Sequence, residues 1–134
     1  MTIQNYDGTI SATNPLHTTL TGSNPSESTA TIANGASLSG AVDLAGKTLL
    51  GIIMPATWTA ANLTFQVSTD GITYYDLYDN IGTEKTILSA SNRFIFTVPA
   101  DWVGVRYVKV RSGTAGTPVN QAAARDIKLV TKAV

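Results

Sequence analysis

Residues 63–78, LTFQVSTDGITYYDLY, form the stretch that decides the fold, because their pattern predicts a β-hairpin. Apolar and polar residues alternate along 63–68, which is the period of a strand with one buried face. Asp70 and Gly71 follow, and glycine accepts the positive φ that a tight hairpin turn needs. A return strand is expected over 74–78, which contains three tyrosines. An all-β domain can be built outward from this hairpin.

The rest of the chain predicts further short strands separated by turns. The run at 48–54, TLLGIIM, is continuously apolar, which is typical of a central strand covered on both faces. Its Gly51 indicates a bulge or a close backbone approach. Short strands with turns between them favour a β-sandwich or barrel, and among these we expect a jelly roll. The other predicted strands are 29–33, 85–89, 93–98, 105–111 and 126–130.

Alternation within these strands also predicts the core. Val108 and Val110 are expected to be buried in one strand, and Ile127 and Leu129 in the closing strand. Along 93–98, three large apolar side chains share one face, namely Phe94, Phe96 and Val98.

The first residues differ in character from the rest. Residues 1–28 are rich in Ser, Thr, Asn and Gly and contain two Asn-Pro pairs, which favour extended backbone. We therefore predict an extended or flexible arm over 1–28 and a β-sandwich domain over 29–134. The arm is either a mobile tail or a segment that docks on a partner. In the second case Tyr6, Leu16 and His17 are its candidate contacts.

Composition excludes several functional classes. The 134 residues suit one domain, and the nine basic and nine acidic residues cancel. Only 13% of residues are charged, against about 25% in an average domain. The absence of cysteine excludes disulfides and thiolate metal sites. The first residues resemble no signal peptide and no apolar run approaches a membrane span, so we expect a soluble protein made in a cytoplasm.

No set of residues demands an enzyme. His17 is the single histidine and lies in the arm, a poor scaffold for a Ser-His-Asp arrangement. Asp76, Asp79 and Glu84 could supply oxygens to Ca²⁺, but their spacing matches no established calcium loop, and a solvated acidic loop is favoured. We therefore predict no catalytic residues, no metal and no cofactor.

Aromatic and basic residues are the remaining candidates for contacts. Trp58 and Trp102 are expected to pack or to form an interface, and a sugar-binding platform is the alternative. The last 34 residues hold six basic and two acidic groups, against three and seven in residues 1–100. Zero net charge disfavours nucleic acid, so we expect Arg106 and Arg111 to contact a protein partner.

The hairpin carries a first resemblance. FQVSTDGITYYDL at 65–77, followed by VRYVKVR at 105–111, resembles the hairpin and late strand of jelly-roll modules of the discoidin and carbohydrate-binding kind. The shared element is a strand, then Ser-x-Asp-Gly, then an aromatic return strand. The resemblance implies the fold, and no ligand residues carry over because those modules bind through variable loops.

A second resemblance covers residues 49–130. LLGIIMPATWTAANLTFQVSTDGITYYDLYD and FTVPADWVGVRYVKVRSGTAGTPVNQAAARDIKLV are similar to small virion structural proteins of tailed bacteriophages, and the size and polar arm resemble capsid cement or decoration proteins. This implies a β-sandwich on the capsid exterior that binds the major capsid protein and itself, as a dimer or trimer, and neither nucleic acid nor membrane. A tail or neck component and a glycan-binding module are the alternatives.

Overall fold

The computed structural model describes residues 24–134 and consists of two antiparallel four-stranded sheets with a shared core. The first sheet has the order β1-β8-β3-β6 and the second the order β2-β7-β4-β5. The strands are β1 Ser26–Ile32, β2 Val42–Asp43, β3 Lys47–Ile53, β4 Leu63–Ser68, β5 Tyr75–Asp76, β6 Phe94–Phe96, β7 Tyr107–Ser112 and β8 Arg125–Ala133.

The strand pairs are nested around the predicted hairpin. β4 pairs with β5, β3 with β6, β2 with β7 and β1 with β8, and successive pairs alternate between the two sheets. This nesting of eight antiparallel strands in two sheets is a jelly roll, as the sequence predicted. The hairpin of residues 63–78 is therefore the innermost turn of the whole topology.

Local hydrogen bonds explain why the hairpin turns at this point. The Ser68 hydroxyl accepts hydrogen bonds from the backbone N–H groups of Asp70, at 3.2 Å, and Gly71, at 2.9 Å. The Asp70 carboxylate accepts from the N–H groups of Thr73, at 2.9 Å, and Ile72, at 2.8 Å. These bonds lower the pKa of Asp70, that from Thr73 most strongly. Gly71 has a φ of 77°, which confirms the positive φ expected at this turn.

The core lies between the inner faces of the two sheets. Val108, Val110, Ile127 and Leu129 are fully buried there, as predicted. A short 3₁₀ helix, Pro99–Trp102, adds the largest side chain of the core. Such alternation of buried and exposed residues is what two packed antiparallel sheets require.

β3 is the central strand that its apolar run predicted. It lies between β8 and β6, and the register shifts between Leu49 and Gly51, which confirms a bulge. The Phe94 ring covers Gly51 so closely that a Cβ there would lie 2.6 Å from ring carbons. The missing side chain therefore makes room for the ring.

Two differences from the sequence prediction concern the start of the sandwich and one expected strand. β1 begins at Ser26, so three residues assigned to the arm belong to the sandwich, while residues 1–23 lie outside the described part of the chain. The strand predicted at 85–89 is wrong, because this segment forms only an isolated bridge between Ile87 and Leu63. Within residues 24–134, no helix is long and apolar enough to cross a membrane.

Candidate functional site

A cluster of charged side chains surrounds Arg111 near the end of β7. Its guanidinium donates to Asp76 Oδ1 at 2.5 Å, to Glu84 Oε2 at 3.2 Å and to Thr64 Oγ1 at 3.4 Å. Glu84 also accepts the N–H of Ala115 at 3.0 Å, which connects the 79–84 loop to the loop after β7. The Arg111 side chain is only 8% exposed and so offers little surface to a partner, and its role as a partner contact stays a prediction. It is used within the fold because a buried guanidinium needs carboxylate partners.

The bonds of this cluster also bear on the alternative in which Asp76, Asp79 and Glu84 bind Ca²⁺. Two of the three acidic residues considered for Ca²⁺, Asp76 and Glu84, are bound to Arg111, which supplies their positive charge. Asp79 accepts the N–H groups of Ile81 and Thr83 instead, at 3.0 and 2.9 Å, and so shapes its own loop. Among residues 24–134, no group of three or more metal-ligating side chains is arranged to hold an ion.

The Arg111 cluster leads to a prediction about acid stability. The hydrogen bond from Arg111 lowers the pKa of Asp76. A carboxylate whose pKa is lower in the folded than in the unfolded state stabilises the fold at pH values above the unfolded pKa of about 3.9. This stabilisation is lost as the pH falls through the folded-state pKa. We expect Asp76→Asn to lower the free energy of unfolding at pH 7 by up to about 1 kcal/mol, since the carboxylate is partly solvated. As the pH falls below about 4 and Asp76 becomes protonated, the free energies of unfolding of the wild type and the variant should converge.

Urea titrations between pH 2.5 and 7 would measure this difference. Asp43, whose pKa is lowered by Arg106, remains in both proteins and adds the same acid sensitivity to each. A gap between wild type and Asp76→Asn that stays constant across this range would contradict the prediction.

Arg106 is exposed and already paired. It forms a two-pronged ion pair with Asp43, through Nε at 2.6 Å and Nη2 at 3.0 Å, and its guanidinium lies 5.1 Å from the Tyr107 ring centre. It remains accessible to a partner, but as part of a locally neutral pair. The other basic residues of the C-terminal region are divided between β7 and β8, which lie in different sheets. The charge excess read from the sequence therefore does not form one basic patch.

The two tryptophans have structural roles. Trp102 is fully buried and packs edge-on against Phe65 at 4.9 Å between ring centres, which is the packing role that was one of its two expected roles. Its role as a partner contact stays a prediction. Its sequence neighbours do not show this burial, because the side chain enters the core from a short 3₁₀ helix outside the strands. Trp58 is half-buried against the core, and its Nε1 donates to the Ala61 carbonyl at 3.0 Å. The alternative of a sugar-binding platform therefore cannot use the Trp102 ring.

Two grooves meet where β5 and β6 form the edges of their sheets. The first has a volume of about 350 Å³ and is lined by Tyr78, Asp79, Asn80 and Asp101, among others. The second, of about 260 Å³, is lined by residues that include Ile87, Phe96, Val98 and Trp102. Lys85 belongs to both grooves and bonds to Asp101 at 2.5 Å. We call the surface formed by the lining residues of these two grooves the groove side.

Large apolar side chains are exposed on the groove side. Phe96 is 83% exposed, Val98 58% and Tyr78 52%. Ile81 and Leu88, which flank the groove residues in sequence, are exposed as well. The alternation at 93–98 predicted that Phe94, Phe96 and Val98 share a face, but not that this face is turned to solvent. Exposed apolar surface of this kind is typical of a protein contact.

A second polar network lies at the same, C-terminal end of β7. The buried Gln121 donates to Ser112 Oγ at 2.7 Å and to the Thr59 carbonyl at 3.0 Å, and accepts from Arg125 Nε at 3.1 Å. Sequence reasoning missed Gln121, since a lone glutamine in a polar loop carries no signal of burial. The network holds the loop before β8 against the 56–62 connection.

The three candidate contacts in the arm, Tyr6, Leu16 and His17, lie outside the described residues, and their roles stay predictions. Of the described candidates, only Arg106 and Trp58 retain some exposed surface. Comparison of the sequence with protein-family models and with curated proteins gives no match.

Proposed function

We propose that this protein is a non-enzymatic structural protein of a phage virion, which binds the outer capsid lattice and reinforces it. The observation that carries the proposal is the groove side, where a small jelly roll exposes Tyr78, Phe96 and Val98 beside shallow grooves. The likeness of residues 49–130 to small virion proteins of tailed phages supports the same function. The major capsid protein is the proposed partner.

The mechanism is to bridge neighbouring subunits of the shell. Each contact can be weak, because several contacts on one lattice raise the effective concentration of the others. The arm adds apolar anchors, Tyr6 and Leu16, when it orders on the shell. Since Arg106 and Arg111 are already paired with carboxylates, apolar contacts dominate and binding depends only weakly on salt.

Co-sedimentation of the full chain with empty capsid shells, over a protein concentration series at low and high salt, tests this function. Saturable binding at a fixed number of copies per shell supports it. Absence of binding at protein concentrations up to about 0.1 mM would remove the capsid role, and a tail or neck component would then be tested against purified tails.

Deletion of residues 1–20 is expected to separate folding from attachment. The described residues 24–134 form both sheets and a shared core, so the shortened protein should keep its thermal unfolding midpoint within a few degrees. Its occupancy on shells should fall at least about tenfold, because the arm's apolar anchors are lost. Unchanged occupancy would show that the arm takes no part in attachment.

A glycan-binding module is the second candidate, and one feature favours it. The first groove places the exposed Tyr78 beside Asp79, Asn80 and Asp101, and an aromatic face next to carboxylate and amide groups suits a sugar. Sugar binding that Tyr78→Ala abolishes without unfolding the protein, together with no binding to shells, would replace the capsid proposal by this one.

A further inference from the structure

One backbone edge of β6 has no hydrogen-bond partner among the described residues. The Arg93 carbonyl accepts from Met54 N–H at 2.8 Å, and Thr97 N–H donates to the Leu50 carbonyl at 2.9 Å. Antiparallel strands direct alternate residues toward and away from the neighbouring strand. The N–H and C=O groups of Phe94 and Phe96 therefore face away from β3, toward open solvent.

This open edge is bounded on both sides. Before it, Asn92 has a φ of 58° and its N–H is bonded to the Pro55 carbonyl. After it, the Val98 carbonyl accepts from Asp101 N–H at 3.0 Å, and Pro99 has no N–H. Phe94 and Phe96 thus have both backbone groups unbonded among the described residues, whereas Asn92 and Val98 each have one group already bonded.

The edge strand is short and lies between Arg93 and Pro99, but no charged side chain or proline stands within the strand itself. Exposed edge strands commonly carry lysine, proline or another charged side chain that discourages a second strand. Here the side chains are two phenylalanines with ring centres 5.1 Å apart, and Phe96 is almost fully exposed. Free amides flanked by apolar rings form a surface to which a further strand can be added.

We propose that β6 pairs with β6 of a second copy of this chain, antiparallel and about a two-fold axis at Ile95. In this register Phe94 of one copy lies opposite Phe96 of the other, and the two residues exchange both backbone hydrogen bonds. The symmetric pair does the same, so the free groups of Phe94 and Phe96 are satisfied in both copies. A shift by two residues in either direction would place Asn92 or Val98 in the pairing, where the Asn92 N–H and the Val98 carbonyl are already bonded.

The contact area indicates the strength of this dimer. At about 200 Å² for a whole ring, the exposed fractions of Phe94 (48%) and Phe96 (83%) amount to roughly 260 Å² per copy. Even with Val98, the total for both copies stays below about 1,000 Å², the lower limit for a specific interface. The dimer is therefore weak in dilute solution and forms where copies are held close together. This inference does not depend on the capsid proposal, since self-association requires no shell.

Sedimentation velocity of the full chain from about 10 μM to 1 mM tests the interface. The wild type should show reversible dimerisation, and Phe96→Lys should weaken the dimer at least about 30-fold, as loss of a central aromatic contact does. Ile72→Lys is the matched control, because Ile72 is equally exposed but lies at the tip of the β4–β5 hairpin. A wild type that stays monomeric at 1 mM, or a dimer that Phe96→Lys does not weaken, would overturn the proposal.

Cysteine cross-linking tests the register, and the chain has no native cysteine to interfere. An equimolar mixture of Phe94→Cys and Phe96→Cys should form the mixed disulfide far faster than either variant links to itself. In the proposed register the mixed pair lies directly opposite at about 5.5 Å between Cα atoms, while identical positions lie on a longer diagonal. Equal rates for the mixed and self-linked products would overturn this register. Shell binding is measured separately, so failure of the capsid proposal would leave these results unchanged.

Discussion

Trp102→Ala is expected to lower the free energy of unfolding by about 3–5 kcal/mol, the usual cost of removing a large buried aromatic side chain. Trp102 is fully buried and stacks edge-on against Phe65 in the core. The 3₁₀ helix that carries it contacts β3 and also forms the floor of the second groove. Alanine would leave a cavity that the two sheets could close only by moving toward each other. Urea unfolding monitored by far-ultraviolet circular dichroism measures the loss.

Trp102→Phe separates the volume of the ring from its polar atom. The indole Nε1 is buried and has no hydrogen-bond partner among residues 24–134, so its removal relieves an unsatisfied donor. We therefore expect this variant to cost much less than alanine, about 1–1.5 kcal/mol. A loss as large as that of Trp102→Ala would show that Nε1–H contributes a bond of its own.

Gly113→Ala is expected to destabilise the fold by about 3 kcal/mol or more. Gly113 has a φ of 92°, and a Cβ there would lie 2.6 Å from the Thr117 carbonyl oxygen and 2.7 Å from the Val119 nitrogen. Both contacts are backbone atoms, so no side-chain rotation relieves them. The Gly113 carbonyl also accepts the buried Thr64 hydroxyl at 2.7 Å, which ties this turn to β4. The thermal unfolding midpoint should fall accordingly, by more than about 10 °C.

Gly116 is the matched control, because it lies in the same loop and its φ is not positive. A Cβ on Gly116 would meet no atom within 4 Å, so Gly116→Ala should change stability by less than about 0.5 kcal/mol. Equal effects of Gly113→Ala and Gly116→Ala would contradict the prediction, because the positive φ and the close backbone contacts of Gly113 would then carry no extra cost.

The proposed dimer and the proposed shell binding use the same side of the molecule and compete for Phe96 and Val98. β6 pairing would bury Phe96 and Val98, while Tyr78 and Ile81 stay accessible beside the first groove. A dimer of this kind joins two jelly rolls edge to edge and doubles the contacts that each unit makes with a lattice. Because effective concentration rises with each contact, a modest self-affinity would strengthen attachment considerably.

The sequence alone determined the hairpin, the central strand and most of the core. Leu63 to Ser68 alternates with period two, and Ser68, Asp70 and Gly71 build their turn from neighbouring atoms. The apolar run at 48–54 predicted a central strand, and β3 lies there between β8 and β6. These features are local, since propensity, turn chemistry and alternation act within a few residues.

Only the tertiary structure decided the contact surface. Arg111 pairs with Asp76 across 35 residues of sequence, and nothing near either residue reveals the partner. Trp102 is buried because the 3₁₀ helix folds into the core, although its sequence context resembles an exposed turn. Phe94 and Phe96 are exposed because β6 is the last strand of its sheet with its outer face uncovered. A strand pattern defines two faces, but the position of the strand in the sheet determines which face meets water.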